Sequence, residues 1–213
     1  MADVYDCSDP EQRTAGVAAA AAALSRGDLV LRPTDTVYGV AADAFTPAAV
    51  TKLLAAKNRG RSMPVPVLVA EASMLAGLVT TVPPVARQLA EAFWPGGLTL
   101  VVEHAPSLAW DLGDAQGTVA VRLPDDEVAR DLLRRTGPLA VSSANRSGRP
   151  AATTGQQADY QLGAHAAVVL DAGPRESSAA STIVDCTGPT PRVLRVGAIE
   201  VDRLREVVPG ITD

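Results

Sequence analysis

Four short polar clusters in this sequence have the residue types that hold a polyanion in place. The clusters share hydroxyls, glycines and fixed cations and contain few carboxylates; they are residues 32–39, 57–61, 117–124 and 141–148. Each lies beside a predicted strand or helix end, where ligands collect in open α/β sheets. Cations and N–H donors at such points suit phosphoryl or nucleotidyl transfer, because negative charge develops on phosphate oxygens during these reactions.

The first two clusters also have ordinary structural explanations. Thr34 and Thr36 can present two hydroxyls on one side of an extended chain, although polar turns favour the same residues. Lys57, Arg59 and Arg61 crowd three cations into five residues at a predicted helix C-terminus. They could clamp phosphate oxygens or only complement the helix dipole. The sequence alone leaves both alternatives open.

The other two clusters are equally open to two interpretations. Thr118 and Arg122 share the polar face of a predicted strand, where a guanidinium is costly to bury unless it is paired. The partner of Arg122 could be a carboxylate of the protein or a bound anion. Residues 141–148 are rich in small donors and could form an anion-binding nest of backbone N–H groups or a plain surface loop.

The composition excludes several unrelated classes of protein. Hydrophobic residues make up 47% of the 213 residues, enough for a real core and too many for general disorder. A net charge of -5 and an aromatic content of 3% argue against a basic nucleic-acid-binding domain with a base-stacking surface. The two histidines, His104 and His165, are isolated, which argues against a zinc site. No Walker A or GxGxxG motif is present.

The cysteines and the apolar segments bear on location. Cys7 and Cys186 form no CxxC pair, which is typical of reduced thiols in a cytoplasmic protein. The sequence has no run of about 18 apolar residues that would span a membrane. The alanines of residues 18–23 are too few for a signal peptide. We therefore expect a cytoplasmic protein without membrane contact.

Helix-like and strand-like segments alternate along the chain and must position these clusters. This alternation predicts a single α/β domain over residues 1–213, built on a twisted mixed β-sheet with flanking helices. Helices are predicted over residues 10–25, 47–57, 84–93, 125–135 and 200–208, and after residue 154. Strands are predicted over residues 29–31, 65–69, 98–102, 118–123, 139–142, 168–170, 181–185 and 193–195.

Taken together and in this order, the clusters resemble the YrdC family, the L-threonylcarbamoyladenylate synthases. The matching motifs are PTDTVYG at 33–39, KNR at 57–59, WPGGLT at 94–99, VAVRLP at 119–124, SANRSG at 143–148, STIVD at 181–185 and LR at 194–195. The resemblance runs from about residue 10 to about residue 200. It implies the short single-domain form of the family, with its sheet enclosing a large cavity lined by cations.

The resemblance implies a definite reaction. Such enzymes join L-threonine, bicarbonate or CO2, and ATP carried with Mg²⁺, and they release threonylcarbamoyl-AMP and pyrophosphate. A threonylcarbamoyl transferase machinery then modifies the adenosine beside the tRNA anticodon, so contact of this chain with tRNA is expected to be weak or indirect. No metal ligand from the protein side chains is implied. A closed cavity suits this chemistry, because carbamates fall apart readily in water.

The resemblance also assigns roles to individual residues. The ATP-binding residues are Lys57, Arg59, Thr118, Ser143, Asn145 and Arg195, of which Lys57 and Arg59 form the catalytic, triphosphate-binding pair. The threonine-binding residues are Thr34, Thr36, Arg122 and Ser181. This sequence lacks the histidine that the family often has near Leu68.

Two other functions remain as alternatives. The first is a non-catalytic module that holds double-stranded RNA or tRNA in the cation-lined cavity, although the negative net charge and the scarcity of aromatics oppose it. The second is a carbamoyl-transfer domain of a hydrogenase-maturation protein. Such domains normally belong to much longer chains with zinc-finger cysteines, and this sequence has none of that kind.

Overall fold

The computed structural model describes residues 2–176 and 179–213. In that part of the chain the strands are β1 (Asp3–Asp6), β2 (Leu29–Arg32), β3 (Gly39–Asp43), β4 (Val67–Leu68), β5 (Leu98–Glu103), β6 (Thr118–Arg122), β7 (Leu139–Ser143), β8 (Ala166–Asp171), β9 (Thr182–Asp185) and β10 (Arg192–Arg195). The α-helices are α1 (Pro10–Ser25), α2 (Pro47–Ala56), α3 (Leu75–Leu78), α4 (Pro84–Phe93), α5 (Glu127–Thr136), α6 (Gly155–Leu162) and α7 (Val201–Val207). Short 3₁₀ helices cover Ala72–Met74 and Gly163–His165.

The strands form one mixed sheet in the order β1-β8-β2-β3-β7-β4-β6-β5-β9-β10. β2 pairs parallel with β8 and antiparallel with β3, while β5 pairs antiparallel with β6 and parallel with β9. This mixture of pairings confirms the predicted α/β class with a mixed sheet. Its consequence for the site is that β4, β5, β6, β7 and β9 are brought side by side from distant parts of the chain.

Helices cover both faces of the sheet because the strand residues alternate between two apolar layers. In β2, Leu29 and Leu31 pack into a core that includes residues of α2, α4, α6 and α7, whereas Val30 faces the opposite core with α1 and α5. Such runs of apolar residues on both faces are typical of strands buried within α/β proteins. The polar loop that follows β2 is therefore held by a strand that is buried on both faces.

Local sequence signals set the helix boundaries well. The side chain of Asp9 accepts hydrogen bonds from the backbone N–H of Glu11 and Gln12, and Pro10 occupies the first turn of α1. α4 ends at Phe93, before Trp94 and Pro95, as the helix-breaking segment predicts. Both helices have the bounds expected from the sequence.

Several strands differ from the expectation. β1 and β3 were not predicted, and the strand expected over 65–69 is confined to Val67–Leu68. Pro64 and Pro66 lack the N–H that a ladder needs, which shortens β4. In β3 the small residues Gly39 and Ala41 give no β-forming signal, yet a Cβ on Gly39 would lie 2.9 Å from Cγ1 of Val141 on the neighbouring strand. Close strand packing, rather than propensity, explains β3.

No helix in residues 2–176 and 179–213 is long and apolar enough to cross a membrane.

Candidate active site

A cavity of about 390 Å³ lies over β4, β5, β6 and β9, beside the loop that follows β2 and the end of β7. Its size falls within the range of about 300–1,000 Å³ that is usual for small-ligand pockets. Most residues predicted for the site line its wall: Thr34, Thr36, Arg59, Thr118, Arg122, Ser143, Ser181 and Arg195. Lys57 and Asn145 lie directly behind the wall, where both contact Ser143.

The wall of the cavity is strongly cationic. Arg59, Arg122 and Arg195 line it, and the described lining residues include no aspartate or glutamate. Burial lowers the pKa of all three guanidinium groups, and the charges of Arg122 and Arg59 lower that of Arg195 further. Because Arg59 and Arg122 disfavour the positive charge of Arg195 and no carboxylate of the described residues lines the wall, the cavity is suited to bind anions.

Thr34 and Thr36 of the β2–β3 loop (residues 33–38) line the cavity, and the hydroxyl of Thr34 donates to the carbonyl of Val37 at 2.6 Å. Thr34 Oγ1 lies 2.9 Å from Thr36 Oγ1 and also accepts hydrogen bonds from the backbone N–H groups of Thr36 and Val37. Thr36 Oγ1 accepts a 3.0 Å hydrogen bond from Nη1 of Arg122. Both threonines are buried, so this pair of hydroxyls is fixed in place by its own loop.

Arg122 has the internal carboxylate partner that the sequence left as one alternative. Its Nη2 donates to Oδ1 of Asp35 at 2.7 Å, and its Nε donates to the carbonyl of Gly96 at 2.9 Å. Together with the bond to Thr36, three of the five guanidinium N–H groups have protein acceptors. Within residues 2–176 and 179–213 the other two have no protein acceptor and can serve a ligand in the cavity, so the two alternatives are compatible.

A second group of hydroxyls lines the cavity, from Thr99 in β5 and from Ser181, the residue before β9. Ser181 Oγ lies 2.8 Å from Thr99 Oγ1, and Arg195 donates through Nε and Nη2 to the carbonyl of Ser181. This close approach needs Gly197, because a Cβ there would lie 2.1 Å from the carbonyl oxygen of Ala180. Arg195 thus fixes the segment that holds Ser181.

Thr99 lies in the WPGGLT motif but is not among the site residues predicted from the sequence. In β5 the residues Leu98, Leu100 and Val102 are buried in the core, whereas Thr99 and Val101 line the cavity on the other face. The alternation of side chains between the two faces of β5 could have indicated Thr99, because a buried threonine between leucines must find a polar partner.

Lys57, at the C-terminus of α2, ties that helix to the loop after β7. Its Nζ donates to the carbonyl of Ser143 at 2.7 Å, to Oδ1 of Asn145 at 2.8 Å and to the carbonyl of Asn145. Ser143 Oγ also donates to Oδ1 of Asn145 at 2.6 Å. Burial, assisted by the charge of Arg59, lowers the pKa of Lys57 to about 8. The loop is thus a compact set of donors and acceptors around one buried cation.

The two arginines that follow Lys57 behave differently. Arg59 lines the cavity, and the closest hydrogen-bond partner of its Nη1 in the described chain is Oγ of Ser142 at 3.5 Å. Arg61 is turned outwards, where it pairs with Asp111 at 2.7 Å and Asp114 at 3.2 Å. The cluster therefore supplies two site cations, and the third is a surface ion pair.

Two aspects of the resemblance are clarified by the structure. Tyr38 is fully buried, belongs to the core cluster and donates its hydroxyl to the carbonyl of Gly173 at 2.7 Å, and it also lines the cavity. Leu68 lines the cavity in the region where the family often has a histidine, which makes that part of the wall apolar.

Within the described residues, no group of three or more His, Cys, Asp or Glu side chains could hold a metal ion.

Comparison with known proteins identifies the family. The family model described as "Sua5_yciO_yrdC: Telomere recombination" matches residues 22–197. A Mycobacterium tuberculosis protein is 57% identical over 208 residues, covering 98% of this chain and 96% of that protein. The threonylcarbamoyl-AMP synthase of Bacillus subtilis is 35% identical over 213 residues, covering 99% of this chain but only 60% of its own length.

A solved structure of similar fold contains an amino acid. The crystal structure of Pyrococcus abyssi Sua5 complexed with L-threonine matches with a TM-score of 0.89 at 29% identity, covering 100% of this chain and 62% of that one. The resemblance noted from the sequence motifs is thereby confirmed, and this chain belongs to the Sua5/YciO/YrdC family.

Proposed function

We propose that this protein is a threonylcarbamoyl-AMP synthase, which joins L-threonine, bicarbonate or CO2, and ATP and releases pyrophosphate. The observation that supports this function best is a single cavity whose wall holds Arg59, Arg122 and Arg195 but, among the described residues, no carboxylate. Both reactants that must meet there, a carbamate and a nucleoside triphosphate, are anions. A fixed cationic wall lowers their mutual repulsion without rearrangement during the reaction.

The nucleotide would occupy the end of the cavity near Arg59 and Arg195. Arg59 is available for the triphosphate because it has few protein contacts, and arginine suits phosphate oxygens through its planar fork. Lys57 adds a positive charge behind Ser143. Thr118, Ser143, Asn145 and Arg195 are the remaining ATP-binding residues of the proposal.

Threonine would occupy the end of the cavity formed by Arg122 and the hydroxyl groups. The two free N–H groups of Arg122 can bind a carboxylate, while Thr34, Thr36 and Ser181 offer hydroxyls to the amino acid. The proposal leaves Leu68 as an apolar neighbour at this end of the cavity. This arrangement would orient the amino group of threonine towards the nucleotide.

The reaction then needs two steps. The neutral amino group of threonine forms a bond to the carbon of CO2 and releases one proton to solvent, which gives a carbamate. With bicarbonate, the C–OH bond breaks instead, and the N–H proton leaves with that hydroxyl group as water. A carbamate oxygen attacks the α-phosphorus of ATP, and the bond from this phosphorus to the bridging oxygen of pyrophosphate breaks. The nucleophile in the second step is already an anion, so that step needs no histidine base.

Mg²⁺ enters this proposal as part of the nucleotide. The described wall of the cavity offers guanidinium groups and hydroxyls but no carboxylate, the protein group that most often holds Mg²⁺, whereas the phosphate oxygens of ATP and water can complete its coordination. When bound, the ion would spread the negative charge of the triphosphate. The protein side chains named above would hold the phosphates and not the metal.

We further place the reaction in the cytoplasm, with residues 1–213 acting as one catalytic domain. The product is a mixed anhydride that hydrolyses readily, so a threonylcarbamoyl transferase must take it up soon after release. That machinery and the adenosine beside the tRNA anticodon are the proposed downstream partners, and tRNA contact by this chain is weak or indirect.

Pyrophosphate release tests this function against the RNA-binding alternative. We expect release from ATP only when threonine and bicarbonate are both present, and tRNA binding that is weak at physiological salt. Pyrophosphate release that does not depend on threonine and bicarbonate, together with tight tRNA binding, would favour the RNA-binding module instead.

The pH dependence of ATP use is a further prediction, made from Lys57. Since the pKa of this ammonium is lowered to about 8, its charge is lost as the pH rises through that value. The KM for ATP should therefore rise between about pH 7 and about pH 9.5, while the Lys57→Arg variant, which stays charged, should show a flatter profile. Identical profiles for the two proteins would contradict the assignment.

The lowered pKa of Lys57 also predicts a change of stability with pH, opposite in direction to the change in ATP binding. Between about pH 8 and pH 10.5 the unfolded chain retains the proton that the folded protein has lost. The contribution of Lys57 to the free energy of unfolding should therefore rise with pH in that window. Chemical denaturation of the wild type and Lys57→Arg at several pH values measures this difference.

A further inference from the structure

Arg175 has an extensive set of contacts that the reaction described above does not use. It lies in the segment between β8 and β9, and its side chain is 15% exposed. Nη1 donates to Oδ2 of Asp126 at 2.9 Å and to the carbonyl of Thr34 at 3.4 Å. Nη2 donates to the carbonyls of Ala172 and Gly173. One guanidinium thus joins three segments behind the β2–β3 loop.

The other end of the β2–β3 loop is tied to the same segment. The guanidinium of Arg175 lies over the ring of Tyr38, 5.7 Å from its centroid. The hydroxyl of Tyr38 lies 2.7 Å from the carbonyl oxygen of Gly173 and accepts a 3.0 Å hydrogen bond from the N–H of Ala172. The loop is therefore held by residues 172–175 both at Thr34 and at Tyr38.

Asp126 extends this support to the other side of the cavity wall. Its Oδ1 accepts a 2.8 Å hydrogen bond from the N–H of Ala129 and so caps α5, while Oδ2 receives Arg175. The preceding residue, Asp125, donates its N–H to Oδ1 of Asp35, the carboxylate that pairs with Arg122. The segment after β6 thus contacts the loop directly and also through Arg175.

We propose that Arg175 is a positioning residue for the threonine end of the cavity. This inference rests on the proposed function. Thr34 and Thr36 line the cavity, and the carbonyl of Thr34 accepts a hydrogen bond from Arg175. Without the guanidinium, this carbonyl and the buried carboxylate of Asp126 lose a donor. The loop would then shift, and a displacement of about 1 Å at a substrate contact can cost about a hundredfold in rate.

The test compares Arg175→Met and Arg175→Lys in the full-length protein. We expect Arg175→Met to raise the KM for threonine by about tenfold or more and to leave the KM for ATP within about twofold. Arg175→Lys should recover part of this loss, because an ammonium can still pair with Asp126 but cannot reach all four oxygens. If Arg175→Met fails to fold, the test uses Arg175→Lys, in which the ratio of the KM for threonine to the KM for ATP should be higher than in the wild type.

Arg13→Met is a matched control. Arg13 also forms an ion pair with α5, through Asp131 at 2.5 Å, but it does not line the cavity. We expect this variant to lose stability without changing the ratio of the two KM values. The inference is overturned if folded Arg175 variants keep the wild-type ratio, or if Arg13→Met changes that ratio equally.

Threonine binding by calorimetry separates this inference from the proposed function. If the wild type releases no threonine-dependent pyrophosphate but binds threonine, the proposed function fails, and weaker binding by the Arg175 variants still supports the positioning role. If the wild type binds no threonine, both fail. If the wild type is active and the variants bind threonine normally, only the positioning role fails.

Discussion

Replacing Arg122 with alanine is expected to lower kcat/KM for threonine by a factor of about 100 to 1,000, the largest effect of any single substitution in the cavity. Arg122 is buried and pairs with Asp35 at 2.7 Å. Its removal would take away the fork for the threonine carboxylate and also leave the Asp35 carboxylate without its cation. Steady-state kinetics with threonine varied at saturating ATP and bicarbonate measures the loss.

Two further variants make this prediction specific. Arg122→Lys keeps a positive charge beside Asp35 but loses the fork, so threonine use should remain poor while part of the stability returns. Arg61→Ala removes an arginine from an exposed surface ion pair next to the site, and solvent screens such pairs so that they contribute little. It should leave kinetics nearly unchanged. A normal KM for threonine in folded Arg122→Ala would contradict the assignment of the carboxylate.

The second large effect is expected at Lys57. In Lys57→Met the ammonium charge is lost, and three oxygens of Ser143 and Asn145 each lose one hydrogen-bond donor. A hydrogen bond to a charged group is worth about 1.5–3 kcal/mol, and the loop around it would also loosen. The KM for ATP should rise about 30-fold or more, and the melting temperature should fall. Kinetics with ATP varied and thermal unfolding together measure these effects.

Arg59→Ala is the companion that separates nucleotide binding from loop support. The only hydrogen bond recorded for the Arg59 side chain in the described chain is the 3.5 Å contact with Ser142, so its removal should cost little stability. ATP use should still fall about 10- to 100-fold, since a cation on the cavity wall is lost. If Lys57→Met changes only stability and Arg59→Ala changes nothing, neither residue binds the triphosphate.

The helices and the cationic character of the site could be predicted because local signals determine them. Asp9 and Pro10 mark the start of α1, and Pro95 marks the end of α4, whatever the rest of the chain does. The spacing of Lys57 and Arg59 after α2 likewise depends on one helix end. These features follow from residues close together in sequence.

The features that could not be predicted from the sequence depend on contacts between residues that are far apart in the chain. β3 forms because Gly39 fits against Val141, a contact that no local pattern reveals. Sequence reasoning also left open whether Arg122 pairs with a carboxylate, since Asp35 lies 87 positions away in the chain. The role of Lys57 in holding the loop after β7 has the same origin, because that loop is brought to α2 only by the assembled sheet.

Synthesis of threonylcarbamoyl-AMP is tested most simply by following the carbon of bicarbonate into the product. The protein is incubated with ATP, Mg²⁺, L-threonine and carbon-labelled bicarbonate, and the mixture is separated at once by chromatography. We expect a new adenylate that contains both the labelled carbon and threonine, formed with one pyrophosphate per molecule and absent when any one substrate is left out. Pyrophosphate or AMP produced without label in an adenylate would contradict the proposed function.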